Sequence, residues 1–336
     1  MNLKTSLKDI AKKVGVSIPL VSYVLGGKGK ENRVSEKTAE KIREAAKELN
    51  YRPNLNARSL KTNKTKIIGV ILADISNPFF SNLARIIENE AFNLDYTVIF
   101  GSSDENIEKF DKVLDLLLTR QVDGFIIAPA ERSKKTILQL KKQNIPFVLI
   151  DRYFEENDFN YVVADNFNAS SLATSYLLQK GHKKIATIGY ESELAHYKDR
   201  YDGYFEALKK AHIIPNENLV KKVDNMFFKR EMKKAIHKLI HEENVLAIYF
   251  QTNTIAEEGL RQLIKLDRDI LQKMDVVVFD QNSTYHFLEN FVPYIKQPIK
   301  KMGKMALRLL IKQINNPKSN PVQVKLQTKL EFERLG

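Results

Sequence analysis

The chain has 336 residues, room for two or three compact units, and its lack of cysteine excludes disulfides, thiolate nucleophiles and cysteine-ligated zinc or iron–sulfur centres. Its formal net charge of +13 is lopsided, because residues 1–66 hold sixteen Lys or Arg against six Asp or Glu. A cationic segment of that kind suits a polyanion or a solvated basic tail; with no signal-like start and no run of about 18 apolar residues, the expected setting is the cytoplasm, with no membrane partner.

The first elements in the chain are short helices. Ser6 and Asp9 form a capping-box pair ahead of Leu7, Ile10, Ala11 and Val14, which share one helical face, so a helix is predicted from Leu7 to Val14. Gly15 stops it, Ser17 caps the next, and Pro19 sits in the first turn of a second helix over Ile18 to Leu25. Ala11, Gly15, Val21 and Val24 then have helix-turn-helix spacing: a small residue where helices touch, a glycine in the turn and aliphatic residues facing inward. Ser35 caps a third helix whose inner face is Ala39, Ile42, Ala46 and Leu49, with Lys37, Lys41, Arg43 and Lys47 outside.

In such a unit the second helix enters the major groove. It offers Ile18, Leu20, Ser22 and Tyr23 to base edges, while Ser17, Ser35, Thr38, Tyr51 and Asn54 are placed to hold phosphates. Taken singly, each of these side chains is equally at home as an ordinary cap or surface residue, and the constellation carries the DNA reading. The segment GGKGKENR before the third helix reads as a basic loop over the backbone or a free tip. It is no phosphate-binding P-loop, since Gly27 and Lys28 are followed by Gly29.

SLKDIAKKVGVSIPLVSYVL and VSEKTAEKIREAAKELNYRPNLNARSLKTNKTKIIGV together resemble the headpiece of the lactose and galactose repressor (LacI/GalR) family. The resemblance implies a hinge helix over Asn54 to Leu60 that forms on DNA, with Leu60 from two subunits wedging into the minor groove and bending the duplex. The same stretch also reads as a polar interdomain linker. Tyr23 stands where many members have arginine and Gly26 where asparagine is frequent.

From Lys66 onward, short apolar runs alternate with amphipathic helical stretches: IIGVILA, TVIF, GFIIA and FVLI, then KIATIG, LAIYF and VVVF. This alternation predicts parallel βαβ sheets in two series that break near Asp165. The chain is expected to return through YIKQP, a helix from Ile299 to Ile314 and a final strand pair from Val322. The predicted fold is a small all-α helix-turn-helix headpiece followed by two doubly wound parallel-sheet α/β lobes, an architecture the repressor family shares with periplasmic binding proteins. The expected organisation is a headpiece over 1–52, a hinge helix or linker over 53–65, one lobe from 66–164 and 294–321, and a second from 165–293 and 322–336.

Ligands of such sheets bind beyond the carboxyl ends of the strands. The residues there are polar: Asp74 with the loop ISNPFF, Asp151 and Arg152, Gln251 and Asn253, and Asp280. Carboxylate and guanidinium groups beside flat rings suit a sugar. The family resemblance implies an effector cleft lined by Phe79, Phe80, Arg152, Arg200, Asn253 and Asp280, to which strand-end position adds Asp74. For Arg200 the alternative is a surface ion pair, and for Phe79 and Phe80 plain core. Thr254 and Gln281 stand where the family usually carries aspartate.

His237 and His241 have a spacing zinc can use, but no HExxH order accompanies them, and a solvated helical face is expected in place of a metal site. No GxSxG elbow and no GxGxxG after a strand is present, so no catalytic residue and no cofactor is expected. The leading reading is a sequence-specific transcription regulator that binds a palindromic operator as a homodimer and responds to a sugar or sugar derivative. The alternatives are a sugar- or nucleotide-processing α/β enzyme with a nucleic-acid-binding appendage, and a transport-type binding protein, which would have a signal peptide and no helix-turn-helix.

Overall fold

The computed structural model describes residues 5–51, 64–155, 158–282, 284, 285, 288 and 291–332. The chain divides into two units, residues 1–65 and 66–336. Asn54, Leu60 and the body of the expected hinge segment lie outside the described residues.

The first unit holds α1 (Leu7–Val14), α2 (Ile18–Leu25) and α3 (Glu36–Glu48). Their ends are fixed by local chemistry. Asp9 Oδ2 accepts from the Ser6 amide at 2.8 Å and from its hydroxyl at 2.7 Å, while Ser17 and Ser35 cap α2 and α3 through the amides of Leu20 and Thr38. Gly15 closes α1 with φ of 75°, a left-handed conformation that costs glycine little, and its N–H donates to Ala11 O. The core is small: Ile10, Ala11, Val21, Val24, Ala39, Ile42, Ala45 and Ala46. The GGKGKENR segment is a closed run of turns, with Lys28 N–H donating to Tyr23 O at 2.8 Å and Val34 N–H to Gly29 O at 2.9 Å.

The second unit contains two six-stranded sheets. The first has the order β11-β5-β4-β3-β1-β2, with β1 (Ile67–Leu72), β2 (Thr97–Ser102), β3 (Gly124–Ile127), β4 (Phe147–Ile150), β5 (Tyr161–Ala164) and β11 (Gln323–Leu326), all parallel. The second has the order β12-β10-β9-β8-β6-β7, with β6 (Ile185–Tyr190), β7 (Val220–Val223), β8 (Ala247–Phe250), β9 (Asp275–Phe279), β10 (Tyr294–Lys296) and β12 (Lys329–Glu331). In this sheet β12 is antiparallel to β10.

Both faces of each sheet are covered by helices, which is why the central strands β1, β3, β4, β8 and β9 are largely apolar. In the first lobe, Ile68, Val70 and Leu72 pack with α4 (Pro78–Phe92) and α12 (Ile299–Asn315), whereas Ile71 and Phe125 face α5 (Ile107–Thr119) and α6 (Lys134–Lys142). In the second lobe, Ile248 and Phe250 pack with α9 (Phe228–His237) and α10 (Asn253–Leu266). Tyr249 and Phe279 face α7 (Asn166–Gln179) and α8 (Ala195–Lys210). A short α11 (Ile270–Lys273) precedes β9.

Two expected boundaries move by one strand each. β10, at 294–296, pairs with β9 and so belongs to the second lobe, although the first lobe was expected to resume at 294. β11, at 323–326, pairs in register with β5 of the first lobe, although 322–336 was expected in the second. The tail is therefore not a strand pair: β11 and β12 part to opposite sheets, because each completes a different open edge. The chain crosses between lobes after β5, after β10 and between β11 and β12. Among the described residues no helix is long and apolar enough to cross a membrane.

Candidate DNA interface and effector cleft

On α2 the buried residues are Val21 and Val24. Ser17, Ser22 and the large side chains of Ile18 and Tyr23, which are 45% and 39% exposed, look outward. A helix that turns an isoleucine and a tyrosine to water leaves apolar and hydroxylic surface for a partner, and bears no charge of its own. Leu20 is half-buried against the headpiece core, as is Tyr51, whose N–H donates to Ala46 O at 2.8 Å. Ser35 and Thr38 share a hydroxyl contact of 2.8 Å at the start of α3. Lys37, Lys41 and Lys47 are exposed along α3, and Arg43 is paired with Glu36 at 2.9 Å.

All seven expected effector residues line one cleft of about 1440 Å³ between the two lobes. Asp74 follows β1, Phe79 and Phe80 fill the first turn of α4, and Arg152 follows β4. Arg200 lies on α8, Asn253 opens α10 and Asp280 follows β9. The strand-end logic works because every one of these β-strands runs parallel and points its carboxyl end at the cleft.

Asp151 and Asp280 occupy matching places in the two sheets. Each follows a strand, donates its N–H to the neighbouring strand (to Val162 O and Ile295 O) and takes a positive φ, 67° and 78°. Aspartate is among the few side chains that tolerate this conformation, and here it turns a carboxylate into the cleft floor. Burial raises both carboxyls above the usual range, Asp280 to about 7, with Arg200 and a 2.7 Å bond from Gln297 Nε2 pulling it back down.

The two arginines are buried and already engaged. Arg152 makes a two-pronged ion pair with Glu105, Nη1 to Oε2 at 2.6 Å and Nη2 to Oε1 at 2.5 Å, and burial of its charge is outweighed by Glu105, so its pKa is raised. Arg200 donates from Nε to Asn166 Oδ1 at 2.9 Å and from Nη1 to Gln251 O at 2.5 Å, and its guanidinium carbon lies 3.5 Å from the centre of the Phe279 ring. It is thus no surface ion pair. Phe79 and Phe80 meet edge to face at 5.0 Å and serve both the core and the cleft wall.

Asn253 exchanges amide hydrogen bonds with Asn77 across the cleft, at 2.9 and 3.2 Å. A second clasp joins the lobes where Glu131 accepts from Ser192 Oγ at 2.7 Å and from the Glu193 amide at 2.9 Å. Asp74 accepts from the amide and hydroxyl of Ser76.

Sequence reasoning missed Asn77, Glu105, Tyr190, His196 and Tyr197, all of which line the same cleft. Two signals were available: Tyr190 ends a strand, and His196 and Tyr197 stand four and three residues before Arg200 on one helix. Burial, then the neighbouring Arg200 and Arg152, holds the His196 imidazole neutral with its pKa well below the ordinary value, and its Nδ1 has no hydrogen-bond partner. Among the described residues no group of three or more His, Cys, Asp or Glu could hold a metal, and His237 and His241 merely lie 4.6 Å apart.

Comparison with known proteins agrees with both units. Residues 6–54 match the bacterial regulatory proteins of the lacI family, and residues 65–333 match the periplasmic binding proteins and sugar-binding domain of the LacI family. The chain is 34% identical over 97% of its length to the ribose operon repressor of Halalkalibacterium halodurans, covering 95% of that protein. Two solved structures cover nearly all of it: transcriptional regulator CelR in complex with cellobiose (25% identity, TM-score 0.73, 99% of this chain and 100% of that one) and the lac repressor dimer bound to operator and the anti-inducer ONPF (20%, TM-score 0.81, 98% of each). The latter similarity concerns the fold.

The chain therefore belongs to the lacI family of bacterial regulatory proteins: it is a DNA-binding transcriptional regulator with a two-lobed sensor domain.

Proposed function

We propose that two copies of this regulator bind the half-sites of a near-palindromic operator in the cytoplasm, and that a sugar or sugar derivative in the cleft alters this binding. The observation that carries the reading is convergence: seven side chains from strand ends and helices of both lobes line one cleft. On the DNA side, Ile18, Ser22 and Tyr23 of α2, with Leu20 beside them, read base edges, while Ser17, Ser35, Thr38, Tyr51 and Asn54 hold phosphates and Leu60 wedges the minor groove. In the cleft, rings of Phe79 and Phe80 pack on the C–H faces of the sugar, and Asp74, Arg152, Arg200, Asn253 and Asp280 bond its hydroxyls.

A ligand that bridges the lobes meets the Asn77–Asn253 and Glu131–Ser192 clasps, whose residues line the cleft. It shifts the DNA-competent population by its differential affinity for the two arrangements. The test is fluorescence anisotropy of labelled upstream DNA, titrated with salt and then with sugars. Operator affinity falls steeply with salt, and one sugar changes it in the wild type but not in Arg200→Ala. A sugar effect of equal size in that variant removes the cleft from the reading. Leu60→Ala weakens operator binding, and undiminished affinity removes the wedge.

A further inference from the structure

The geometry points to a cleft that selects a neutral polyhydroxylated effector and rejects its phosphate ester, with Glu105 as the residue that sets this choice. The inference rests on the effector reading of the cleft and narrows it to one charge class.

A phosphate monoester brings nearly two negative charges and strong acceptor oxygens, and it needs an unpaired cation or open backbone amides to receive them. The buried cations are Arg152 and Arg200. Both η nitrogens of Arg152 are held by the Glu105 carboxylate, which stands on the open side of the pair with its side chain 31% exposed. Arg200 has Nε and Nη1 committed to Asn166 and Gln251, lies over the Phe279 ring and interacts with the Asp280 carboxyl. His196 is kept uncharged by burial and then by the charges of Arg200 and Arg152. The other cations of the lining, Arg132, Lys198 and Lys222, are exposed at the rim, where water screens them.

Open amides are scarce as well. Of three helices that start at the cleft, α8 has no side-chain cap, but Leu194 to Tyr197 at its start are buried, with Leu194 N–H donating to Ser192 Oγ and Tyr197 N–H to Leu194 O, each at 3.1 Å. The first amides of α4 and α10 are capped by their own residues. Phe79 N–H donates to Asn77 Oδ1 at 3.0 Å, Thr254 N–H to Asn253 Oδ1 at 2.8 Å and Ile255 N–H to Thr252 Oγ1 at 3.1 Å. Carboxylates outnumber Lys and Arg along the lining by more than two to one. A dianion placed there meets like charge at short range, whereas a hydroxyl donates to those same carboxylates and accepts from whatever donor faces it.

The experiment is isothermal calorimetry with D-ribose, D-fructose, D-glucose and cellobiose against ribose 5-phosphate, fructose 1-phosphate and glucose 6-phosphate. It is run on the wild-type chain, Arg200→Ala, Glu105→Gln and the double variant Glu105→Gln with Arg152→Gln. Wild type is expected to bind at least one neutral sugar and to bind that sugar's ester at least about tenfold more weakly. Glu105→Gln frees the Arg152 cation and narrows or reverses that ratio by about tenfold or more. The double variant removes cation and anion together, relieves the unpaired buried charge that could unfold the single variant, and gains no ester binding.

An ester that binds wild type more tightly than its neutral parent, with the signal lost in Arg200→Ala, keeps the cleft as the effector site and overturns its charge preference. Unchanged discrimination in folded Glu105→Gln, or ester binding gained by the double variant, overturns the role of Glu105. Silence from every compound on the wild type fails the effector reading itself, and this inference with it.

Discussion

The headpiece and the cleft bury their functional chemistry to opposite degrees. In the headpiece Ser17, Ile18, Ser22 and Tyr23 are exposed outside a core of eight mostly small residues, and the side-chain caps that bound its helices are satisfied three positions along the chain. In the cleft, Arg152, Arg200, Asp151, Asn253 and Asp280 are all less than a tenth exposed, and Arg200, Arg152 and Asn253 bond Asn166, Glu105 and Asn77, which are 34, 47 and 176 residues away in sequence. The contrast teaches that a binding surface for a large rigid polyanion can be separate from what folds the unit, whereas a pocket for a small molecule is made of the same buried bonds that hold its walls.

The sharpest break between the two regions is expected from a headpiece core deletion. Ile42 is fully buried among alanines and valines. Ile42→Ala removes about 2–5 kcal/mol, more than a domain this small can spare. Calorimetry should show loss of the headpiece transition with the transition of residues 66–336 unmoved, and operator binding should vanish while sugar binding persists. A simultaneous drop in both transitions would show that the two cores are energetically one.

A comparable loss, confined to the other region, is expected for Arg200→Met. It strips Asn166 Oδ1 and Gln251 O of their donor and leaves Asp280 without the cation it faces. Breaking a buried charged network by removing one member costs about 3–5 kcal/mol, so chemical denaturation should show destabilisation of the sensor together with loss of effector binding. Loss of binding alone, at full stability, would mean that the cleft separates function from folding as the headpiece does.

How much of each region could be read from sequence follows from the same contrast. α1 and α2 stand at the bounds their caps and glycine announced, because capping is local. β7 was invisible: its VKKV carries two lysines at a sheet edge, and only Val223 is buried. β5, as long as β4, was not among the runs read, and the sheet that β11 joins is decided by pairing Gln323 with Tyr161. In the cleft, residues directly after strands were legible because strand ends are legible. Glu105 was not, since its role exists only through Arg152, 47 residues on, and nothing in the pattern FGSSDEN singles it out from its neighbours.

A smaller effect concerns pH, and it has a definite sign. Burial raises the folded pKa of Asp280 to about 7, well above the 3.8 of an unperturbed aspartate. A raised carboxyl binds a proton in the folded state where the unfolded chain has released it. The stability it contributes is therefore full below about pH 4 and is lost progressively as pH rises to about 7. Asp151 acts in the same direction. His196 opposes them, because its lowered pKa gives stability above its ordinary value of 6.5 that fades as pH falls below it. The difference between wild type and Asp280→Asn isolates the first contribution: the variant should lose about 3 kcal/mol of this pH dependence between pH 4 and 7. Parallel melting curves for the two proteins across that range would contradict the assignment.

The smallest change in stability is expected where the largest functional change per atom should occur. Ile18 opens α2 with nearly half its surface in water and lies outside the headpiece core. Truncating it to alanine removes no residue of the headpiece core, replaces a β-branched residue with a better helix former, and leaves the Ser17 cap and Pro19 in place. The melting temperature should move by no more than about 0.5 kcal/mol equivalent, in either direction. Operator affinity, measured by anisotropy at fixed salt, should fall about tenfold, with the salt slope unchanged because no phosphate contact is removed. A reduced slope would place Ile18 near the backbone instead of the bases. A loss of stability alongside affinity would show that the recognition face is part of what folds the headpiece, and the separation drawn between the two regions would not hold.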